Sequence, residues 1–597
     1  MIGTQLDDSQ LAAVDVDTET RQIVIAGPGS GKTEVVSALI EHLVDDEGID
    51  PVDGMLVISF SNAAVHAADA RLRARVGTRP VGVQTMDSLA AELLRDLSTE
   101  DYEDHDFDRR IALATRLLRN ESWGRIDDLE HLIVDELQDI VGVRAEFLLA
   151  IIEQLPAEAG FSLLGDPAQG IYDFQIRPDR KGRKPLSSMS SAELMDSITA
   201  LPATEIRHLT GQYRATSRDA KAAVALRSAV LPGGDPGLLD DFHAGVLAAG
   251  TVEEVVALAA RWTGRTAFLT ATNGQALLVA GVLRNRTVVE VRRGARQRVI
   301  AGWVTQLLGD LPTDTIARNE LDKRVAERCP ELDSALLWRA LRGVERGRGT
   351  EIELLRLAQG LRGSRPLTPE LVDQPTTPVV VSTVHRAKGL EFDNVVLVDF
   401  PERAWLEDTT DPGELLRARF VSLTRARRLL VRANGPDDRF VRRFRKRRLH
   451  EERWFQGGYK HWQTFGFEIG VADVVPVGTD AAQAELQLTT QVSAGDPLEL
   501  RLDRFESTLT VPIYTVSHNG IPVAQTSRRF GEDLAARTGT LEHTQRSWPI
   551  VGGARVESVA TVIVDPRPGS TSRHRFRLAP VVTGLLHLDW KETTEDD

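Results

Sequence analysis

Short apolar runs recur along the first three quarters of the chain: Gln22 to Ala26, Met55 to Ser59, Leu132 to Val134, Phe161 to Leu164, Val379 to Ser382 and Val395 to Val398. Runs of this length without polar alternation read as parallel strands buried on both faces. Helical segments separate them. In one of these, Val36, Leu39, Ile40 and Leu43 fall at the i, i+3, i+4, i+7 spacing of an amphipathic helix. The alternation predicts an α/β architecture with more than one sheet. After Arg453 the pattern changes to period two, as in Leu498-Glu-Leu-Arg-Leu502 and Arg573-His-Arg-Phe-Arg-Leu578, and Asn519-Gly520 carries a hairpin-turn signature. A small β-barrel or sandwich is predicted over 457–597, with an acidic, frayed tail.

Composition narrows the picture. At 597 residues, 42% hydrophobic and 27% charged, the chain has room for several structural units and is neither disordered nor fibrous. It has no apolar run of the roughly 18 residues a membrane span needs, and MIGTQLDDSQ lacks a signal core, so no membrane and a cytoplasmic location are expected. A single cysteine, Cys329, forms neither an internal disulfide nor a multi-cysteine metal site. The net charge of −15 disfavours coating nucleic acid through bulk charge. Local charge differs: Arg417 to Arg453 holds fourteen Lys/Arg against four Asp/Glu, either a solvated face or a contact for a polyanion. The acidic segment 97–110 should repel phosphates.

The sharpest chemistry lies after the first strand. Ala26-Gly27-Pro28-Gly29-Ser30-Gly31-Lys32-Thr33 sits between strand and helix, the context of a P-loop. Glycines let backbone N–H groups turn onto a triphosphate, Lys32 reaches the β/γ-phosphates and the Thr33 hydroxyl suits Mg2+. ATP and Mg2+ are the expected cofactors. Ala26 stands where the general pattern has glycine. Asp135 ends the apolar run of His131-Leu-Ile-Val and suits the metal, and Glu136 follows as candidate general base for an attacking water.

These motifs and those that follow resemble a superfamily 1 DNA helicase of the UvrD/Rep type over residues 4 to 435. Leu6-Asp-Asp-Ser-Gln10 resembles the Q motif, whose glutamine reads adenine. Leu164-Gly-Asp-Pro-Ala-Gln169-Gly-Ile-Tyr172-Asp-Phe174 is similar to motif III. The resemblance implies that Gln169 senses the γ-phosphate and that Tyr172 and Phe174 lie beside single-strand bases. Leu209-Thr-Gly-Gln212-Tyr213-Arg214 resembles motif IV, with Tyr213 on adenine and Arg214 on the γ-phosphate. Ser382-Thr383-Val-His385-Arg-Ala-Lys388-Gly389-Leu-Glu391-Phe392 is similar to motif V. It implies nucleotide contacts at Lys388, Gly389 and Glu391, the last on the ribose, and DNA phosphate near Thr383 and His385. Thr424-Arg425-Ala-Arg427 resembles motif VI, making Arg425 an arginine finger. Phe60, Asn62 and Thr85 match further DNA-contact positions.

The family fold implies two RecA-like parallel-sheet motor domains, 1–200 and 201–291 with 376–435, with small helical insertions (about 90–130, and 292–375), a basic linker 436–456 and a C-terminal β-rich module 457–597. ATP is then expected to bridge Lys32 on one lobe and Tyr213, Arg214 and Arg425 on the other. The implied function is an ATP-dependent helicase or translocase on single-stranded or tailed DNA, moving 3′ to 5′, in DNA repair or recombination, with a protein partner available to the β module. Some DNA positions depart from the family: Ala63 for Lys, Met86 and Asp87 for Phe and His, Gln175 for Arg, Gln212 for Asn. An alternative is therefore a nucleic-acid-gated ATPase switch, or a subunit of a nuclease or defence complex, without intrinsic unwinding. RNA as the track stays open. Asp565 and Leu588-Asp589-Trp590-Lys591 resemble a nuclease metal site only loosely, and coincident strand ends are the favoured reading.

Overall fold

The computed structural model describes residues 6–59, 83–102, 104–178, 183–292, 299–347, 349–363, 367–373, 377–401, 411–444, 449–459, 463–477, 481–538, 548–564 and 575–590. Phe60, Asn62, Ala63, Asp565, Lys591 and the Arg445–Arg448 part of the basic strip lie outside them. The chain forms two compact units. The first comprises Met1–Leu247, Ala387–Val395 and Pro401–Leu430; the second comprises Ala248–Arg386, Val396–Phe400 and Val431–Asp597.

The first unit is built on a parallel six-stranded sheet in the order Val83–Gln84, Met55–Ser59, His131–Asp135, Gly160–Gly165, Arg21–Ala26, Thr204–Leu209. Its central strands are buried end to end, as their unbroken apolar runs require. Helices Met86–Leu97, Phe107–Asn120, Val143–Glu153 and Ser191–Thr199 bury one face through a core that includes Leu93, Ile111, Phe147 and Ile198. Helices Asp8–Val14 and Lys32–Asp45 supply a second core around Val36, Leu39 and Leu43. The carboxyl ends of Arg21–Ala26 and His131–Asp135 thus open at one edge of the sheet, where ligands bind in doubly wound folds.

Two boundaries differ from the sequence expectation. Thr204–Leu209 does not open a second domain at 201; it pairs with Arg21–Ala26 at the edge of the first sheet, and the first unit continues to Leu247. Its sequence Thr-Glu-Ile-Arg-His-Leu lacks an apolar run because an edge strand is half solvated, and Ile206 is exposed. The segment 436–456 is not a linker. Val441–Phe444 and Arg453–Gly457 are the first two strands of the β module; Arg442 and Arg443 are exposed on it, whereas Arg453 is held inside. Arg453 is buried between Asp473 (2.6 Å) and Asp533 (2.7 Å), over the rings of Phe467 and Phe530. A buried guanidinium is tolerated when both its charge and its N–H groups are matched.

The second unit contains a six-stranded sheet in the order Ala248–Thr251, Ala426–Asn434, Phe392–Asp399, Thr266–Thr270, Val379–Thr383, Val289–Val291, in which Val379–Thr383 runs parallel to both neighbours. The chain of Phe392–Asp399 and Ala426–Asn434 enters this unit from the first. Helices Trp303–Leu308, Arg318–Arg328, Ser334–Glu345 and Leu354–Arg362 form a separate core around Leu307, Leu321, Leu341 and Leu357. The β-rich region is one nine-stranded antiparallel sheet, from Val441–Phe444 at one edge to Val474–Pro476 at the other, with a three-stranded sheet of Ile300–Ala301, Ser558–Ile563 and Phe576–Val581. The nine-stranded sheet shares a core with the smaller one, through Phe467, Tyr514 and Leu586 beside Leu578. The sheet order has two ends, so the module is not a closed barrel. The predicted Asn519-Gly520 turn is present: both residues have positive φ, 51° and 78°, and His518 faces Ile521 across it.

The β module is docked on helix Asn273–Leu283 of the second unit's parallel sheet. Trp454 and Val441 pack against Gly274, where a Cβ would have no room, and Gln275 bonds Asp438 at 3.0 Å. At the helix end Arg284 meets the buried Glu557 and the Thr583 carbonyl.

Candidate active site

The strand Arg21–Ala26 delivers the chain into Gly27–Gly31, and helix Lys32–Asp45 begins at once. Gly29 and Gly31 hold φ of 80° and 81°, a conformation that side chains with a Cβ resist. A Cβ on Gly29 would come within 2.6 Å of Arg214 Cβ, and one on Gly31 would strike the Gln10 amide. Gln212–Arg214 lies directly on this loop: Tyr213 N donates to the Gly29 carbonyl (2.8 Å) and Gln212 Nε2 to that of Pro28 (2.7 Å).

Lys32 Nζ stands 2.9 Å from Asp135 and 2.6 Å from Glu136. Burial opposes its charge, but the two carboxylates outweigh burial and hold the ammonium above its ordinary range. Burial lifts Asp135, with Lys32 opposing. For Glu136 burial is overcome by Lys32 and Lys388, which carry it down to about 2. Glu136 has φ 59° and ψ 43°, a left-handed backbone that costs free energy in a non-glycine residue.

Gln169 lies between Asp166 and Arg425: its Nε2 donates to Asp166 Oδ2 (2.9 Å) and its Oε1 accepts from Arg425 Nη2 (2.8 Å). Arg425 is fully buried. Burial and the neighbouring Arg214 bring it down to about 9, with Glu136, Glu391 and Asp166 opposing. Arg214 pairs with Glu391 at 2.7 Å, which also accepts from Arg427. Lys388 contacts Asp139 and the Gln169 carbonyl, and Gly389 follows with φ 74°. Burial raises Asp139 to about 7 in spite of Lys388 beside it. Lys32, Asp135, Glu136, Gln169, Tyr213, Arg214, Lys388, Glu391 and Arg425 all belong to the first compact unit.

Two buried polar atoms beside the phosphate loop have no hydrogen-bond partner: Arg214 Nη1 and Ser30 Oγ. Orphaned buried donors cost about 1–3 kcal/mol each, and an anion with several acceptor oxygens would satisfy both. The donor set therefore fits a nucleotide triphosphate, with Thr33 and Asp135 available to its metal. Among the described residues no group of three or more His, Cys, Asp or Glu could hold a metal by itself.

Other predicted residues have protein partners. Both ends of the Gln10 amide are engaged: Oε1 accepts from Asp7 N (3.0 Å) in a capping box, and Nε2 donates to the Ser30 carbonyl (3.0 Å). Tyr213 is half exposed, with its hydroxyl on Asp7. The rings of Tyr172 and Phe174 lie 6.0 Å apart; Phe174 is exposed and Tyr172 has Lys388 5.4 Å from its ring centre. Thr85 caps helix Met86–Leu97, Met86 is buried, and Asp87 pairs with Arg144 at 2.8 Å. Thr383 and His385 lie in the second unit, Thr383 buried at a strand end. Sequence reasoning gave no role to Asp139, Asp166, Arg227 or Arg427. Asp166 and Arg427 sit inside the motifs quoted above, so the acid just after the strand Gly160–Gly165 and the second arginine of Thr424-Arg425-Ala-Arg427 were the available signals.

Residues 6–102 match the model of the UvrD/REP helicase N-terminal domain, and residues 364–433 that of the UvrD-like helicase C-terminal domain. The chain is 38% identical over 79 residues to a putative ATP-dependent DNA helicase, YjcD, of Bacillus subtilis, covering 13% of this chain and 10% of that protein. It is 36% identical over 93 residues to the ATP-dependent DNA helicase PcrA of Leuconostoc citreum, covering 15% and 12%. A longer match, 26% over 218 residues, joins it to a putative ATP-dependent DNA helicase, R568, of Acanthamoeba polyphaga mimivirus, covering 32% and 30%. The chain thus spans a third or less of the length of these relatives.

Proposed function

For a chain that carries both the UvrD/REP helicase N-terminal domain and the UvrD-like helicase C-terminal domain, we propose an ATP-dependent DNA helicase or translocase. It hydrolyses ATP at Lys32 and moves along single-stranded DNA 3′ to 5′, in the cytoplasm, in repair or recombination. The observation that carries this reading is the gathering, around the phosphate loop, of Arg214 against Gly29 and of Arg425 near Glu136, which with Asp135 holds Lys32.

The charges explain how such a site responds to its substrate. Without phosphate, Lys32 is shared by two carboxylates and Glu136 is a weak base. When Lys32 turns its charge to a phosphate, Glu136 loses the cation that lowers it most. Its basicity then rises where a water must be deprotonated. Arg214 Nη1, lacking a partner, and Arg425, held by Gln169, are the cations available for charge developing at the γ-phosphate. Mg2+ bound at Thr33 and Asp135 would supply further charge neutralisation on the phosphates. The exposed Phe174 beside Tyr172 offers rings for stacking, worth about 1–3 kcal/mol per base.

A second reading, the nucleic-acid-gated ATPase switch, is favoured by the helix after Thr85. At positions where relatives touch DNA, Met86 is in the core and Asp87 is consumed by Arg144. ATP turnover with and without oligo-dT, beside displacement of 3′-tailed and 5′-tailed duplexes, separates the two. Stimulated turnover with displacement only from the 3′-tailed duplex is expected. Stimulation without any displacement would favour the switch, and absence of turnover would sink both.

A further inference from the structure

Arg227 belongs to none of the motifs above. It stands in the short segment Leu226–Val230, after helix Arg218–Ala225. Its guanidinium reaches Asp166 through Nε and Nη2, each 2.8 Å from Oδ1. Its stem overlies the start of the phosphate loop, where a Cβ on Gly27 would lie 3.4 Å from Arg227 Cδ. Asp166 is buried, so its oxygens depend on protein donors. Arg227 is the cation bonded to it.

The consequence passes to Gln169. Asp166 Oδ2 takes the Gln169 NH2 (2.9 Å), and this turns the carbonyl end of the amide toward Arg425 Nη2 (2.8 Å). A displaced Asp166 would permit the reversed amide, placing NH2 against a guanidinium. Four side chains therefore form one relay, Arg227–Asp166–Gln169–Arg425, ending on the residue read above as the finger.

We propose that Arg227 is a positioning residue for ATP hydrolysis: by holding the Asp166 carboxylate in place it fixes the amide orientation of Gln169, and through it the aim of Arg425. This rests on the ATPase reading of the same site. The role requires no contact between Arg227 and the nucleotide.

The test uses the full chain with oligo-dT, measuring steady-state ATP turnover and the affinity for a fluorescent ADP analogue. Arg227→Met should lower kcat about 100-fold, the scale of a misaimed catalytic group, with ADP affinity within about threefold. Arg227→Lys, which restores a cation for Asp166, should recover part of the loss. In a Gln169→Ala background, Arg227→Met should add almost nothing, because both act through the same amide. Full additivity of the two substitutions, unchanged kcat in Arg227→Met, or a matching loss of ADP affinity would overturn the proposal. Should Arg227→Met melt early, Arg227→Lys alone and on the Gln169→Ala background reads the same coupling. A wild-type chain without turnover would remove the ATPase reading and this role with it; a wild-type chain that turns over beside an unaffected Arg227→Met removes this role alone.

Discussion

Replacing Arg425 by methionine tests the finger assignment with the least change of volume. The side chain is fully buried; Nη2 donates to Gln169 (2.8 Å) and Nε to the Val421 carbonyl (3.0 Å). A guanidinium at a transferring phosphoryl group contributes about 10³–10⁵ in turnover. Arg214 remains beside the loop in the variant, so the lower end applies, about 10³-fold, or about 4 kcal/mol in the barrier. Losing the donors leaves the Gln169 and Val421 oxygens short of a partner, about 1–3 kcal/mol each where water cannot enter. Thermal denaturation must therefore accompany the ATPase assay. Burial and Arg214 hold Arg425 at about 9. Turnover above a tenth of wild type in a folded Arg425→Met, or a loss of nucleotide affinity as large as the loss of turnover, would refute the assignment.

Lys32→Ala should abolish turnover and lower ATP affinity, read by a fluorescent analogue, and should also destabilise the fold by leaving Asp135 and Glu136 facing each other without a cation. Gly29→Ala should lose nucleotide binding while Gly48→Ala, also at φ 80° but with open space around it, should not; equal effects would remove the clash as the cause. His131 is buried between the Thr18 carbonyl and Ser162 and is pushed down to about 4. The unfolded chain therefore binds the extra proton between about pH 6.5 and 4. Stability is complete above that window and falls by up to about 3 kcal/mol as pH drops through it; a His131→Gln variant should show a flatter dependence of its urea midpoint over the same range.

The strand, glycine loop and helix around Lys32 were legible because they are contiguous, and Asp135 ends an apolar run that reads as a buried strand. What could not be read were features that depend on pairing between distant segments. Thr204–Leu209 has the polar pattern of a loop until Arg21–Ala26 is known to be its neighbour. Arg453 looks like one more charge in a basic strip until Asp473 and Asp533 are brought to it. Arg227 follows an alanine-rich helix with no motif around it, and only the fold brings it over Gly27.

The seam between helix Asn273–Leu283 and the β module is sealed by Trp454 and Val441 against Gly274 and by Arg284 with Glu557. Shortening the chain at Gly435 would strip an indole-sized area from that helix and strand the Arg284 cation, so the shortened motor would be damaged rather than merely unaccompanied. Loss of activity on such trimming could not be credited to recruitment by the module. In mechanical terms the module is an outrigger bolted to its sheet.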